Sequence, residues 1–482
     1  MTLKAKELIE QADCIVYDRL VGREILDFAR QDAELIYVGK ENHRHVMKQE
    51  AINALLLRKA AEHQLVVRLK GGDPYVFGRG GEEALYLKEH QVEVEVIPGV
   101  TSAISVLSAA GIPITHRNVA KGFQVVTAHS KNDQPSDIDF SKLMDESITY
   151  VFLMGLSHVE WIAKSLIEAG RSEDTGAAVI SNGTTARQKK CIGTLENIGR
   201  LVQEAGLESP AIIVVGDVVG LSDELSFFEK KPLFGKRVIV PYIRGFGFDY
   251  CNGIEQVPES NLIISLRENG ADVIGVQVGK IIPVVHRMST DYLKSFQWIL
   301  FTSSNGVNSF MYNLKLSGLD ARSLGETRIG VVGKKTAKTL ESFSLGADYI
   351  SRGQNAESMA LEMGEILSGM QNVLYVSAAD NSGELEEILA GKCNLTVESF
   401  YENAECDFEK IEDVADYICF TSASTVKRTL ADNEIKSGTK IITIGSSTSK
   451  AVLGCGHGEY IQAREPSYEG ILEMVLDDIK KV

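Results

Sequence analysis

Short apolar runs rich in β-branched residues alternate with amphipathic stretches along the whole chain. In the first part, segments with helical spacing such as Gln49–Glu62 and Gly80–His90 lie between these runs. The alternation predicts an α/β fold with largely parallel sheets. The predicted strands are Cys14–Tyr17, Glu34–Val38, Leu65–Leu69, Val92–Ile97, Phe123–Ala128, Ile148–Met154, Gly176–Ser181 and Ala211–Gly216.

The pattern is interrupted at Glu229–Lys236, a charged segment that contains Pro232 and Gly235. The apolar strand Val238–Val240 follows and begins a second α/β series. A chain of 482 residues is also longer than one hydrophobic core usually supports. We therefore predict two domains, 1–232 and 233–482.

The second series contains a degenerate internal repeat. Trp298–Phe310 resembles Tyr417–Thr429, and Arg328–Leu340 resembles Ile441–Leu453. Each segment is an apolar strand followed by a Ser/Thr/Gly loop and a helix. Helix capping alone would explain a single loop of this kind. Four loops in the same order favour a ligand site, because ligands bind at the carboxyl ends of strands in such sheets.

Composition and charge limit the classes of protein to which this chain can belong. The net charge of −16, from 50 basic and 66 acidic residues, argues against a non-specific nucleic-acid binder. No apolar run is long enough to cross a bilayer and the N-terminus has no signal-peptide core, so we expect a cytoplasmic protein without a membrane partner. We predict that the seven cysteines are reduced thiols and do not form a disulfide framework. His43 and His45 form a His-x-His pair, but the sequence shows no third ligand for a metal. No metal site is therefore predicted.

The densest motif is Val66–Glu83, in which a strand runs into Gly71-Gly72-Asp73-Pro74. The glycines allow a ligand to approach the backbone closely. Asp73 could accept hydrogen bonds from a ribose or an amine. A plain turn between a strand and a helix is the alternative interpretation of this motif.

Six further motifs occur in the chain. In their order and spacing, these motifs and the Val66–Glu83 motif resemble the uroporphyrinogen-III C-methyltransferases, a family of tetrapyrrole methylases, over roughly residues 2–220. The resemblance implies a two-lobed α/β half that uses S-adenosylmethionine, and a homodimer through this half is a further expectation. In that family an apolar strand and a Gly-x-Gly-Pro-Gly-Asp loop precede the helix that begins here at Thr2, so we expect a misplaced start or a truncated gene. The six motifs are Val16–Val21, Tyr37–Lys40, Ile97–Ala103, Gly111–Arg117, Phe152–Gly155 and Asn182–Gln188.

The same resemblance implies roles for individual residues. Asp18 is the expected proton acceptor, and Lys40 is the expected proton donor. The residues expected to line the donor site are Gly71, Gly72, Asp73, Val76, Thr101, Ser102, Met154 and Gly183.

From Phe234 to Leu476 the chain resembles uroporphyrinogen-III synthase. The resemblance implies two α/β lobes joined by a pair of strands, one lobe from 237–272 and 405–482 and the other from 285–397. It also implies cyclisation of hydroxymethylbilane without a cofactor, which is mainly a positioning task. The matching segments include Phe301–Val307, Gly330–Leu340, Glu398–Asn403, Phe420–Val426 and Thr443–Ala451.

In this second half, Tyr401 is the expected proton donor to the leaving hydroxyl. The alternative for Tyr401 is a half-buried strand aromatic without a catalytic role. The residues expected to bind the substrate are Thr302, Ser303, Thr336, Ser422, Ser447 and Thr448.

Three functions remain open at this point. The first is a bifunctional enzyme that makes uroporphyrinogen III and methylates it to precorrin-2, on the way to sirohaem or cobalamin. The second is a monofunctional synthase with an inactive methyltransferase-like half. The third is a non-catalytic tetrapyrrole-binding scaffold. Binding of S-adenosylmethionine separates the first two, and turnover of hydroxymethylbilane separates both from the third.

Overall fold

The computed structural model describes residues 1–30, 32–39, 47–128, 137–251, 253–255, 257, 260–353, 355–367, 370–381, 383–408, 410–411 and 414–481. The chain divides into two compact units, Met1–Val238 with Ile264–Val273, and Ile239–Ile263 with Ile274–Val482. The predicted domain boundary after residue 232 stays a prediction. None of the described helices combines the length and the apolar character needed to cross a membrane.

The first unit begins with a small parallel sheet. Its elements are α1 (Leu3–Gln11), β1 (Cys14–Tyr17), α2 (Arg23–Leu26), β2 (Glu34–Tyr37), α3 (Gln49–Glu62), β3 (Val66–Leu69), α4 (Gly80–Glu89) and α5 (Ser102–Ala109). The strand order is β2-β1-β3, and both pairs are parallel. Helix α3 and strand β1 share one apolar core, to which Cys14, Val16 and Leu56 contribute.

The strand predicted at Val92–Ile97 is wrong. These residues alternate between half-buried and exposed positions, as in a strand, but they pair with no other strand among the described residues. The alternation of Val and Glu indicates that one face is apolar. A strand also needs a neighbour whose backbone groups complete the ladder, and local sequence carries no information on that neighbour.

The second sheet of this unit is mixed. Its elements are β4 (Gly122–Thr127), β5 (Ile148–Leu153), α6 (Val159–Glu168), β6 (Gly176–Ser181), β7 (Lys189–Thr194), α7 (Ile198–Ala205), β8 (Ala211–Val215) and α8 (Ser222–Leu225). In the order β4-β5-β8-β6-β7, only β4 and β5 are parallel, so the prediction of largely parallel sheets is wrong here. Helix α5 packs its Leu107 against this sheet.

The second half of the chain forms one ten-stranded sheet, in the order β15-β14-β13-β16-β17-β12-β9-β18-β19-β20. Its elements, with a separate hairpin of β10 and β11, are β9 (Arg237–Arg244), β10 (Gly247–Asp249), β11 (Gly253–Glu255), α9 (Asn261–Glu268), β12 (Asp272–Pro283), α10 (Thr290–Lys294), β13 (Trp298–Phe301), α11 (Ser304–Leu316), β14 (Arg328–Val332), α12 (Gly333–Glu341), β15 (Tyr349–Ser351), α13 (Ala356–Ile366), β16 (Asn372–Ala378), α14 (Glu384–Leu389), β17 (Asn394–Glu405), β18 (Tyr417–Phe420), α15 (Ala423–Asp432), β19 (Lys440–Thr443), α16 (Ser446–Gly454), β20 (Ile461–Gln462) and α17 (Tyr468–Ile479).

Two long strands at the middle of this sheet join two lobes. Residues Gly279–Pro283 of β12 pair antiparallel with Tyr401–Glu405 of β17. The strands on either side have separate cores, one around Phe301 and Phe310 and the other around Phe420. This arrangement agrees with the expected pair of linking strands.

A hairpin made by β10 and β11 follows the first strand of one lobe and packs against the other. Phe246 and Phe248 belong to the core around Phe301. The side-chain amide of Asn308, on α11, donates a hydrogen bond of 2.7 Å to the Phe246 carbonyl. The hairpin therefore connects the lobes a second time, independently of β12 and β17.

Candidate active sites

In the first unit, Asp73 holds two loops together. Its Oδ1 accepts a hydrogen bond from the Tyr75 backbone N–H at 2.8 Å, and its Oδ2 accepts one from Gly99 at 2.9 Å. The backbones are so close that a Cβ on Gly99 would lie 2.1 Å from the Gly72 carbonyl oxygen. The two glycine-containing loops that the sequence predicted as donor-site loops are therefore adjacent. Val76 follows the same turn, and its N–H donates to the Asp73 carbonyl.

The amino terminus of α5 faces this pair of loops. Thr101 caps the helix, and its side chain accepts a hydrogen bond from the Ala103 backbone N–H. A Cβ on Gly72, which has φ +84°, would lie 3.8 Å from the Thr101 Cα. Ser102 is the first residue of the helix. A helix amino terminus offers free N–H groups and positive potential, so it favours an anionic group of a ligand.

The second sheet carries two more of the predicted residues, one after β5 and one after β6. A Cβ on Gly183 would lie 2.3 Å from Val106 of α5, so the turn after β6 packs on this helix. Met154 directly follows β5, has φ +56° and is half exposed. Strands β5 and β6 both run antiparallel to β8 between them, so their carboxyl ends lie at one edge.

Asp18 lies at the carboxyl end of β1, beside the Gly71 loop. Its Oδ1 accepts the Leu20 backbone N–H at 3.1 Å, and Arg68 Nη2 is 3.5 Å from Oδ2. A Cβ on Gly71 would lie 2.7 Å from the Leu20 Cβ, so the two loops are in contact. The carboxylate is oriented by two donors but keeps 27% of its side chain exposed. Lys40, the expected proton donor, and the pair His43 and His45 lie outside the described residues.

A buried charge network beneath this site was missed by the sequence analysis. Lys70 Nζ lies 3.1 Å from Glu83 Oε1, and Arg68 Nε lies 3.4 Å from the same oxygen. Burial is the main factor that lowers the pKa of Lys70. The available signal was a cation, Arg68, within a predicted apolar strand and a second cation, Lys70, directly after it, because buried cations need partners.

In the second half, each of the four predicted polar loops joins the carboxyl end of a strand to a helix. The loops link β13 to α11, β14 to α12, β18 to α15 and β19 to α16. Ser303 caps α11 by accepting the Gly306 N–H, and Ser422 caps α15 in a capping box with Thr425. Helix capping, the simpler explanation of these loops, is therefore real at two of them. It leaves the remaining helix N–H groups free to bind an anion.

The predicted substrate residues differ in exposure. Thr302, Ser303 and Ser422 are partly exposed, and Ser447 is exposed. Thr336 and Thr448 are buried in the first turns of α12 and α16. The lobes meet near these loops, because the Lys335 ammonium lies 5.7 Å from the ring centre of Tyr468 at the start of α17.

Tyr401 is buried beside the first of these loops. Its hydroxyl lies 2.9 Å from Ser303 Oγ, and the residue is 8% exposed. Burial raises the pKa of Tyr401, and the hydrogen bond to Ser303 opposes this rise. A second tyrosine, Tyr375, was missed, and its hydroxyl lies 3.4 Å from Thr302 Oγ1. Burial also raises the pKa of Tyr375, so both phenols keep their protons at neutral pH.

The fold defines a fusion of two α/β units in which polar loops follow the carboxyl ends of strands, the position at which ligands bind in such sheets. Residues 1–199 match the family of tetrapyrrole (corrin/porphyrin) methylases, and residues 260–473 match uroporphyrinogen-III synthase HemD. The porphyrin biosynthesis protein HemD of Ruminiclostridium josui is 36% identical over 493 aligned positions, which cover 99% of this chain and 95% of that protein. The chain belongs to this family of fused tetrapyrrole methylase and uroporphyrinogen-III synthase proteins. The predicted family and fold class are confirmed.

Other relatives match one half of the chain. The uroporphyrinogen-III C-methyltransferase of Methanocaldococcus jannaschii is 49% identical over 46% of this chain and 92% of that protein. The solved uroporphyrin-III C-methyltransferase of Thermus thermophilus, in complex with S-adenosyl homocysteine, is 40% identical over 46% of this chain and 92% of that chain, with a TM-score of 0.39. The solved uroporphyrinogen-III synthetase of Helicobacter pylori is 20% identical over 50% of this chain and 99% of that chain, with a TM-score of 0.37.

Proposed function

We propose that this chain is a bifunctional enzyme with a methylase domain at 1–232 and a synthase domain at 233–482. The synthase cyclises hydroxymethylbilane to uroporphyrinogen III, and the methylase converts that product to precorrin-2, the entry to sirohaem and cobalamin. The observation that carries the proposal is that both family matches lie on one chain, which is similar to the HemD relative over 99% of its length. The product of one site is the substrate of the other.

The loops around Gly72 fit S-adenosylmethionine as the methyl donor. Gly71 and Gly72 leave the backbone accessible, and the α5 amino terminus at Thr101 and Ser102 suits the carboxylate of an amino acid. The free lone pairs of Asp73 suit the hydroxyls of a ribose. The bound donor supplies an electrophilic methyl group at its sulfonium.

Asp18 removes the proton that the tetrapyrrole must lose after methylation. The Leu20 N–H and Arg68 orient its carboxylate toward solvent at the edge of the Gly71 loop. A partly exposed, oriented carboxylate can reach a substrate proton, which is the first requirement for a general base.

In the synthase domain, the helix amino termini and hydroxyls hold the substrate carboxylates so that the chain ends meet. Tyr401 donates a proton to the leaving hydroxyl: burial raises its pKa, so the phenol is protonated, and its hydroxyl contacts Ser303. Because these groups position the substrate and supply the proton, the reaction needs no cofactor.

Turnover of hydroxymethylbilane by the full chain tests the synthase, with the ratio of type III to type I product as the readout. Unassisted closure gives type I, so type I alone would favour the scaffold. Equilibrium binding and transfer from labelled S-adenosylmethionine test the methylase. Asp73→Ala should weaken donor binding. Type III product without donor binding would leave a monofunctional synthase.

We also propose that the chain is a cytoplasmic homodimer that associates through the methylase domain, without nucleic-acid or membrane partners. Exposed apolar side chains in that domain, such as Leu85 and Tyr75, support a contact surface. The seven cysteines are not joined in disulfides in the structure, and a reducing compartment would keep them as thiols. Light scattering on Leu85→Glu, with Leu3→Glu as a control, tests the dimer. An unchanged mass for Leu85→Glu would exclude this surface.

A further inference from the structure

A thiol, a carboxylate and an imidazole converge at the amino-terminal edge of the first sheet. Cys14 begins β1, and Glu34, its partner in the parallel register, begins β2. His63 is the C-cap of α3. Their ligand atoms all lie within 4.8 Å of one another, and His63 Nε2 is 3.0 Å from Glu34 Oε2. Three regular elements therefore fix the three groups.

The chemistry of this set is selective. A thiolate and an imidazole suit zinc and related transition metals, whereas magnesium and calcium prefer oxygen ligands. Cys14 is fully buried, and the side chains of Glu34 and His63 are 42% and 25% exposed. An ion placed between them would have the thiol on its inner side and solvent on its outer side, where water can complete a tetrahedron.

We propose that Cys14, Glu34 and His63 bind a zinc ion with water as the fourth ligand. The site is separate from the proposed reaction. Cys14 and Asp18 lie at opposite ends of β1, and four residues of strand span about 13 Å. Bound zinc would tie β1, β2 and α3 together at the edge opposite the substrate, and it would stabilise the sheet without contacting reacting atoms.

Lys59 is the cation that competes for this position. Its Nζ lies 2.8 Å from Glu34 Oε2 and 2.7 Å from Glu62 Oε2. Zinc would displace Lys59 from Glu34, and Glu62 would still pair with it. An ion pair of Lys59, Glu34 and His63 without metal is the competing explanation of the same geometry. The zinc site predicts tighter metal binding when the lysine charge is removed, whereas the ion pair alone predicts no such gain.

Cobalt(II) is the probe that distinguishes them, because thiolate ligation gives a charge-transfer absorption that oxygen and nitrogen ligands do not give. We expect one equivalent of cobalt to produce this band in the full chain after chelator treatment, and zinc to abolish it. Cys14→Ala and His63→Ala should lack the band. Cys455→Ser, which removes an exposed thiol, should keep it.

Lys59→Met provides the decisive measurement, since it removes the charge but keeps a long apolar side chain. Zinc affinity, measured by competition with a chromophoric chelator, should increase by roughly tenfold or more, because the variant removes the ammonium that competes for Glu34 through a charge-assisted hydrogen bond. An unchanged affinity in Lys59→Met, or a cobalt band that survives Cys14→Ala, would overturn the proposal. Zinc should also raise the melting temperature of the wild-type chain, and no rise would count against it.

Discussion

The contact between Ser303 and Tyr401 can be measured directly with a double-mutant cycle. The Ser303 oxygen lies 2.9 Å from the Tyr401 hydroxyl and also accepts the Gly306 N–H at 3.1 Å. Tyr401→Phe removes only the first bond. Ser303→Ala removes both, because it also removes the cap of α11. The two single variants and the double variant therefore separate the side-chain pair from the cap.

The expected magnitudes follow from burial. Since Tyr401 is only 8% exposed, water replaces its partner poorly, and Tyr401→Phe should lower the free energy of unfolding by about 1 kcal/mol. Ser303→Ala should lower it by about 2 kcal/mol, because a lost serine cap costs a further ~1 kcal/mol. The double variant should also lose about 2 kcal/mol, which gives a coupling energy of about 1 kcal/mol.

The same variants test the proton donor role. Tyr401→Phe should slow formation of type III product roughly tenfold at saturating substrate, since about 1.4 kcal/mol of transition-state stabilisation is lost. Binding of hydroxymethylbilane should change little, because the Thr302 and Ser303 hydroxyls remain. Urea unfolding followed by circular dichroism supplies the stabilities, and chromatography of the oxidised products supplies the type III to type I ratio.

Ser422 is the matched control for this cycle. It caps α15 in the other lobe through Thr425, and among the described residues it forms no hydrogen bond with a tyrosine. Ser422→Ala should cost about 1 kcal/mol and show no coupling to Tyr401→Phe. A Ser303–Tyr401 coupling below ~0.3 kcal/mol, or a normal rate for Tyr401→Phe, would refute the reasoning.

Three further changes test other parts of the molecule. Asp18→Ala should abolish transfer from labelled S-adenosylmethionine while donor binding persists; normal transfer would contradict the proton-acceptor role. Gly99→Ala should weaken donor binding at least tenfold by calorimetry, about 1.4 kcal/mol, because the new Cβ would lie 2.1 Å from a carbonyl of the neighbouring loop; Gly81→Ala, whose Cβ meets no described atom within 4 Å, should bind normally. Asp478→Ala should lower the free energy of unfolding by about 2 kcal/mol because two charge-assisted hydrogen bonds are lost, whereas exposed Glu473→Ala should change it little. A hydrogen bond from a lysine holds the pKa of Asp478 below its usual range. This stabilisation is therefore present above about pH 4 and is lost as the pH falls further. If the free energy of unfolding of the variant fell with acid pH as it does in the wild type, the result would contradict this.

The elements that local sequence specifies were predicted well. Helix Gln49–Glu62 has the predicted bounds, and each of the four Ser/Thr/Gly loops lies between a strand and a helix. Hydrophobic period and capping residues are local signals, so they predict where elements begin and end. The adjacency of Gly72 and Thr101 followed from family resemblance, because no local signal relates two loops 29 positions apart.

The features that depend on distant neighbours were missed. The extended run Val92–Ile97 has a strand pattern but pairs with no strand in the part of the chain that the structure describes. The hairpin at Phe246 and Phe248 is too short to show a period of hydrophobic residues, and the residues that it packs against and hydrogen-bonds to include those of α11. Tyr375 is one aromatic in an apolar strand, and only the tertiary fold places its hydroxyl near Thr302. These are long-range contacts, which local propensity does not encode.

The split lobe of the second half also determines the order in which this protein can fold during synthesis. Strand β9 ends at Arg244, but β18, which hydrogen-bonds to it, starts at Tyr417, about 170 residues later. A ribosome adding ~5–20 residues per second needs roughly 9–35 s to synthesise the residues between these two strands. The other lobe is continuous in sequence and can close within this interval. The nascent chain therefore emerges with one finished lobe and with an uncovered β9 edge, the surface that ribosome-associated chaperones would have to protect.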